Sequence, residues 1–218
     1  MSRAVFKGAL VALLLLSVPA ALARASIEFG GWRANWLNGT ISIRVDQVGP
    51  DFAKIEVFKD FTEPPVGGLF PPRIIDFVQI APDPNTVKRI IILDETITNL
   101  TGVGWTDYHW SVIDDGEAWF NVPLSATFDV TPFKTKKFSD PRNVFNDPNK
   151  ATDLNAFDGL VPHQDTFFPG LAAGDLVIDV NLAPQAPVSF TFKQFPTPEP
   201  SSLMLLSLGA LVGWRRRG

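Results

Sequence analysis

The chain has 218 residues, no cysteine, 19 prolines, 16 glycines, hydrophobic residues at 45% and a formal net charge of −4. Without Cys there are no disulfides, no thiol catalysis and no thiolate metal sites, so cystine bridges cannot hold the fold. Residues 26–197 carry 13 Lys and Arg against 22 Asp and Glu, a net charge of −9; such a body repels phosphate and sulfate backbones, which excludes nucleic acid as a natural partner and makes an anionic glycan depend on bridging cations.

At the N-terminus, Arg3 and Lys7 flank a charge-free run over 8–22, and Ala23-Arg24-Ala25 supplies a small-x-small cleavage pattern. This predicts a secretion signal over 1–25, forming a helix in the membrane, engaging the Sec translocon and cut by signal peptidase after Ala25. Ala21-Leu22-Ala23 offers a second site two residues earlier.

The body over 26–197 reads as all-β, because apolar residues alternate in short runs bounded by Pro, Gly, Asn and Asp. In chain order the runs are 41–45, 55–58, 74–80, 87–93, 108–113, 118–122, 126–130, 176–182 and 188–192. About nine or ten strands with no amphipathic helix predict an antiparallel β-sandwich or a jelly-roll-like barrel. Tyr108, Trp110 and Val112 share one strand face and are assigned to the core. Asp114-Asp115-Gly116-Glu117 predicts a hairpin turn, with Gly at the position that needs positive φ. Residues 63–72 hold four prolines and read as a loop. Residues 131–170, poor in strand signals and rich in Asp, Asn and Pro, read as a long ordered excursion or a flexible insert.

Chemistry-bearing patterns are sparse. The two histidines, His109 and His163, with no Gly-x-Ser-x-Gly elbow, do not make a Ser-His-Asp hydrolase or a tetrahedral zinc site. No pair among the acidic residues stands out as a glycosidase couple. Asp147, Asn149, Asp153, Asn155 and Asp158 form the one oxygen-rich stretch suited to Ca2+, but its spacing departs from the EF-type template at Phe157. The five tryptophans of the body, at 32, 36, 105, 110 and 119, are assigned chiefly to core packing, with sugar stacking as the alternative. No cofactor is expected, and the chain is not read as an enzyme.

The C-terminal segment, 198–218, reads Pro198-Glu199-Pro200-Ser201-Ser202, then twelve uncharged and mostly apolar residues over 203–214, then Arg215, Arg216 and Arg217. At 1.5 Å per residue the apolar run spans about 18 Å as a helix, short for a bilayer core of roughly 30 Å. Three arginines hold such an end cytoplasmic and snorkel to reduce the mismatch, and Trp214 suits the interface. Pro198 and Pro200 keep the preceding chain extended, presenting Glu199 on the opposite face. The order of Pro-Glu-Pro, short hydrophobic helix and Arg cluster resembles the PEP-CTERM sorting signal. That resemblance implies recognition by exosortase, cleavage near the motif, and delivery to the cell surface or the extracellular matrix of an exopolysaccharide-producing biofilm.

A second stretch, Asn99-Leu100-Thr101-Gly102-Val103-Gly104-Trp105-Thr106-Asp107-Tyr108-His109, is similar to an Asn-x-Thr-Gly-x-x-Trp-x-Asp-aromatic-His sequence of some exported PEP-CTERM proteins. The residues themselves read as a strand, a Gly corner and a return strand opening on a packed Trp. Trp105, Asp107 and His109 are also the candidates for a ligand-facing role. Together these readings predict a structural or adhesive surface protein, with a glycan-binding module or a glycan-active hydrolase as alternatives; exopolysaccharide is the candidate extracellular partner.

Overall fold

The computed structural model describes residues 24–198 apart from 38, 115, 183, 185 and 186. In chain order its strands are β1 (Arg24–Phe29), β2 (Trp32–Leu37), β3 (Ile41–Val48), β4 (Phe52–Phe61), β5 (Arg73–Gln79), β6 (Arg89–Asn99) and β7 (Trp105–Ile113). There follow β8 (Ala118–Asn121), β9 (Thr135–Ser139), β10 (Lys150–Ala151), β11 (Asp153–Phe157), β12 (Thr166–Phe167), β13 (Leu176–Val180) and β14 (Ser189–Pro198). One sheet has the order β1-β2-β5-β14-β7-β11-β9 and the other β10-β8-β13-β6-β4-β3, with β12 paired to β6. The architecture is therefore an all-β sandwich. The expected signal helix and C-terminal hydrophobic helix lie outside the described residues, as do Arg215, Arg216 and Arg217.

The core follows from the period-2 pattern. From one sheet Trp32, Phe77, Phe192, Trp110 and Leu154 point inward, and from the other Ile55, Ile92, Ile178 and Phe120 meet them, all of them fully buried. The edge-to-face pair of Phe120 with Phe192 at 6.2 Å ties the two layers together, and Phe128 packs edge-on to Trp110 at 6.0 Å from the connection after β8.

Several expectations are corrected. Pairing is not wholly antiparallel, because β4 and β6 run parallel. The chain leaves β4, crosses to the opposite sheet as β5 and returns as β6, and two reversals restore the direction. The turn at 114–117 does not close a hairpin. Gly116 has the expected positive φ of 107°, but β7 and β8 belong to different sheets, so the turn is a corner between layers. Residues 126–130 form no strand. There the Lys136 ammonium donates to the carbonyls of Ser125, Ala126 and Phe128, a convergence that curls the chain and drops Phe128 into the core.

Residues 131–170 are part of the sandwich rather than an insert, since they supply β9, β10, β11 and β12. These strands have five, two, five and two residues, too short for alternation to show against a polar background. Even so, Leu154 and Ala156 of β11 are fully buried. Strands β1 and β2 fall outside the sequence-predicted runs as well. Ala25 pairs with Trp36 and packs against the core, so a cut after Ala25 would remove the first two residues of β1, whereas a cut after Ala23 leaves the strand whole.

Candidate functional site at the end of the last strand

Strand β14 carries the chain out of the sandwich. It pairs with β5 only as far as Gln194, and beyond that point only with β7, ending in Thr197 opposite Asp107 and Pro198 opposite Trp105. One side of the strand thus lacks a ladder partner where Pro196 and Pro198 occur, which is where proline is tolerated in a sheet. Pro198 is buried. The first residue of the Pro-Glu-Pro motif is therefore part of the folded core, and the body extends to 198; Glu199 and Pro200 lie outside the described residues. Leu203, where the apolar run begins, is five residues further on, so even a fully extended connection reaches no more than about 18 Å.

The stretch 99–109 builds the wall against which this strand lies. Asn99, fully buried at the end of β6, donates through Nδ2 to the carbonyls of Val103, Val161 and Pro162 at 2.9–3.1 Å. Its Oδ1 accepts from the Thr101 amide and hydroxyl at 3.1 and 2.7 Å. Thr101 Oγ1 in turn accepts from Trp105 Nε1 at 3.3 Å, and Gly102 turns the corner at φ 88°. Asn, Thr, Gly and Trp at these spacings are accordingly the parts of one hydrogen-bonded corner. Trp105 does not face a ligand: it is fully buried, with Phe61 and Phe70 against its ring at 5.2 and 6.1 Å.

Asp107 and His109 point to the outer face, because they alternate with the buried face of β7. His109 Nδ1 lies 2.6 Å from Asn155 Oδ1, an oxygen that only accepts, so Nδ1 donates to it, and Nε2 is hydrogen-bonded to the Thr197 hydroxyl 2.8 Å away. The ring also stacks on Phe195 at 4.8 Å. His109 thus clamps the outgoing strand one residue before the Pro-Glu-Pro triplet. Asp107 faces a shallow depression of about 540 Å³ shared with Lys134, Asp158 and Leu160.

The other candidates are dispersed. Asp153 accepts from Ser111 and Thr152, Asn155 is held by His109, Asp158 accepts from Thr135, and Asp147 caps the Asn149 amide. Among the described residues no three His, Cys, Asp or Glu side chains converge as metal ligands would. Of the five tryptophans of the body four are buried, and Trp119 has Lys150 Nζ 4.0 Å over its ring and Phe145 at 5.7 Å beside it. An open groove of about 790 Å³ runs past Arg24, Asp76, Asp114, Glu117 and Arg142. Burial holds the Asp114 carboxyl above its usual range, although its two oxygens accept from the amides of Gly116 and Ala118.

One polar cluster escapes the sequence reading altogether. Lys59 of β4, Glu95 of β6 and Gln194 of β14 meet at the centre of the sandwich, with the side chains of Lys59 and Glu95 fully buried. Glu95 Oε1 accepts from Lys59 Nζ at 2.6 Å and from Gln194 Nε2 at 3.0 Å, while Oε2 accepts from Trp110 Nε1 at 2.8 Å. Gln194 Oε1 receives Lys59 Nζ and, at 3.1 Å, the Tyr108 hydroxyl. Desolvation pushes the Lys59 ammonium down to about 8, opposed by Glu95, and burial together with Glu95 keeps the Tyr108 phenol protonated well past its ordinary range. A signal did exist: Lys59 falls in the inward phase of Ile55 and Val57, and Gln194 in that of Phe190 and Phe192. Glu95 is harder to foresee, because a bulge opposite Ile55 and Glu56 skips Leu93 and shifts the inward phase of β6.

Residues 196–217 match the PEP-CTERM protein-sorting motif. The motif implies an exported protein that is processed by exosortase and sorted to the cell surface. No curated protein and no solved structure is significantly similar to the chain.

Proposed function

We propose that the sandwich is a structural or adhesive component of the cell surface or extracellular matrix, held at the membrane by its tail until exosortase releases it. The observation that carries this reading is that the matched motif begins inside the core strand β14, so the folded body hangs within about 18 Å of the apolar run with no long linker. Exopolysaccharide is the polymer it would meet outside. Upstream, the Sec translocon and signal peptidase would deliver a chain beginning at Arg24, since that end leaves β1 complete.

Replacing Glu199 and Pro200 with Ala tests the sorting step while leaving β14 untouched. The expected product is a folded, membrane-retained form that keeps its C-terminal peptide in terminal mass spectrometry. Release of the variant at the parent's rate with the parent's C-terminus would refute exosortase handling through the motif.

A glycan-directed reading draws on the open groove, where Asp76, Asp114 and Glu117 share a wall and burial raises the Asp114 carboxyl. If that groove works on a glycan, Asp114→Asn abolishes turnover of a purified exopolysaccharide while thermal stability is kept. Absence of turnover in the parent protein removes this reading.

A further inference from the structure

We propose that Lys59 and Gln194 form an intramolecular isopeptide bond, with Glu95 as the proton shuttle, which covalently joins the two sheets of the sandwich. The geometry supplies each part such a reaction needs. Lys59 Nζ is the nucleophile and already touches the amide it would attack, through Gln194 Oε1. The Tyr108 hydroxyl, 3.1 Å from that oxygen, stands where negative charge develops as the amide carbon becomes tetrahedral. Glu95 Oε1 is within hydrogen-bond reach of both the nucleophile, at 2.6 Å, and the leaving nitrogen, at 3.0 Å. Trp110 fixes the other carboxylate oxygen. Around them Phe61, Trp110 and Phe167 lie against the Tyr108 ring at 4.6–6.1 Å and are buried, which shuts out competing water.

The step balances without a co-reactant. Glu95 takes one proton from the Lys59 ammonium, and the freed amine lone pair forms the Nζ–Cδ bond with Gln194. As the Cδ–Nε2 bond breaks, Glu95 hands its proton to Nε2 and receives one from the attacking nitrogen. Ammonia leaves, one hydrogen stays on the new amide, and Glu95 ends as a neutral acid. Nothing is oxidised or reduced. A buried ion pair is thereby exchanged for neutral groups, relieving the desolvation that already depresses the Lys59 ammonium. The link would close a loop between positions 135 residues apart, in a chain that has no cystine to do so.

Peptide mapping of the full chain by mass spectrometry tests this. The expected result is a branched peptide joining Lys59 to Gln194, an intact mass one ammonia lighter than the observed termini require, and no tryptic cut after Lys59. The same measurement on Glu95→Gln should return the unbranched mass and restore cleavage at Lys59. Linear peptides at the full mass in the parent overturn the proposal, whether or not the variant folds. A branch formed undiminished in Glu95→Gln overturns the role of Glu95.

Discussion

The two faces of β7 do opposite work with neighbouring residues. On the inner face Tyr108 and Trp110 are fully buried and engage Gln194 and Glu95, so each polar atom there is committed to a partner that water cannot replace. On the outer face His109 bonds to Asn155 and Thr197 and Ser111 to Asp153, neighbours that solvent can also reach. Energy therefore concentrates on one side of the strand, while the side that grips the outgoing chain is adjustable. A hydrogen bond lost inside strands its partner, and one lost outside is remade with water.

Trp110→Ala should break the inner face most severely, by about 3–5 kcal/mol for the lost aromatic volume, and it also leaves Glu95 Oε2 without its donor. Chemical denaturation read by fluorescence and circular dichroism measures it. A loss this large takes much of the 5–15 kcal/mol typical of a whole domain.

Next in size is a pH effect that isolates the buried lysine. In Gln194→Ala, which keeps the amine free, the unfolded chain holds the Lys59 proton up to about 10.5 whereas the folded chain gives it up near 8. The unfolded state thus binds more protons in that window, and stability should rise with pH from about 8 to 10.5. Denaturation midpoints across that range check it; a flat profile would mean that burial does not depress the Lys59 ammonium. In the parent, once the isopeptide bond has formed, this rise should vanish.

A smaller effect is expected on the outer face. His109→Ala removes two hydrogen bonds and a stack on Phe195, costing about 1–2 kcal/mol. Its sharper signature should be local: limited proteolysis should nick the chain near Thr197 sooner than in the parent. Smallest of all is Arg33→Ala, which loses the exposed pair with Glu28 and should shift stability by about 1 kcal/mol or less, vanishing at high salt.

What was legible in the sequence is what depends on near neighbours. Alternation over 41–45, 74–80, 108–113 and 188–192 identified β3, β5, β7 and β14, because a half-buried strand repeats every two residues whatever its partners. The tail was equally legible, since a sorting signal is read as linear sequence and residues 196–217 match one. The stretch 99–109 was visible as a corner by its Gly and Trp, though not as the clamp on the motif, because Thr197 lies 88 residues from His109.

By itself, then, the sequence determined an acidic, cysteine-free β body that runs into a C-terminal sorting motif. Only the tertiary structure decided that β4 and β6 run parallel, that the turn at 114–117 changes sheets, and that 131–170 completes both layers. It alone brought Lys59, Glu95 and Gln194 together from three strands. The physical reason is common to all of these. Periodicity records whether a residue faces in or out, but which strands become neighbours depends on two sheets closing over one core. A charge on an inward face acquires its meaning only from the groups that closure places opposite it.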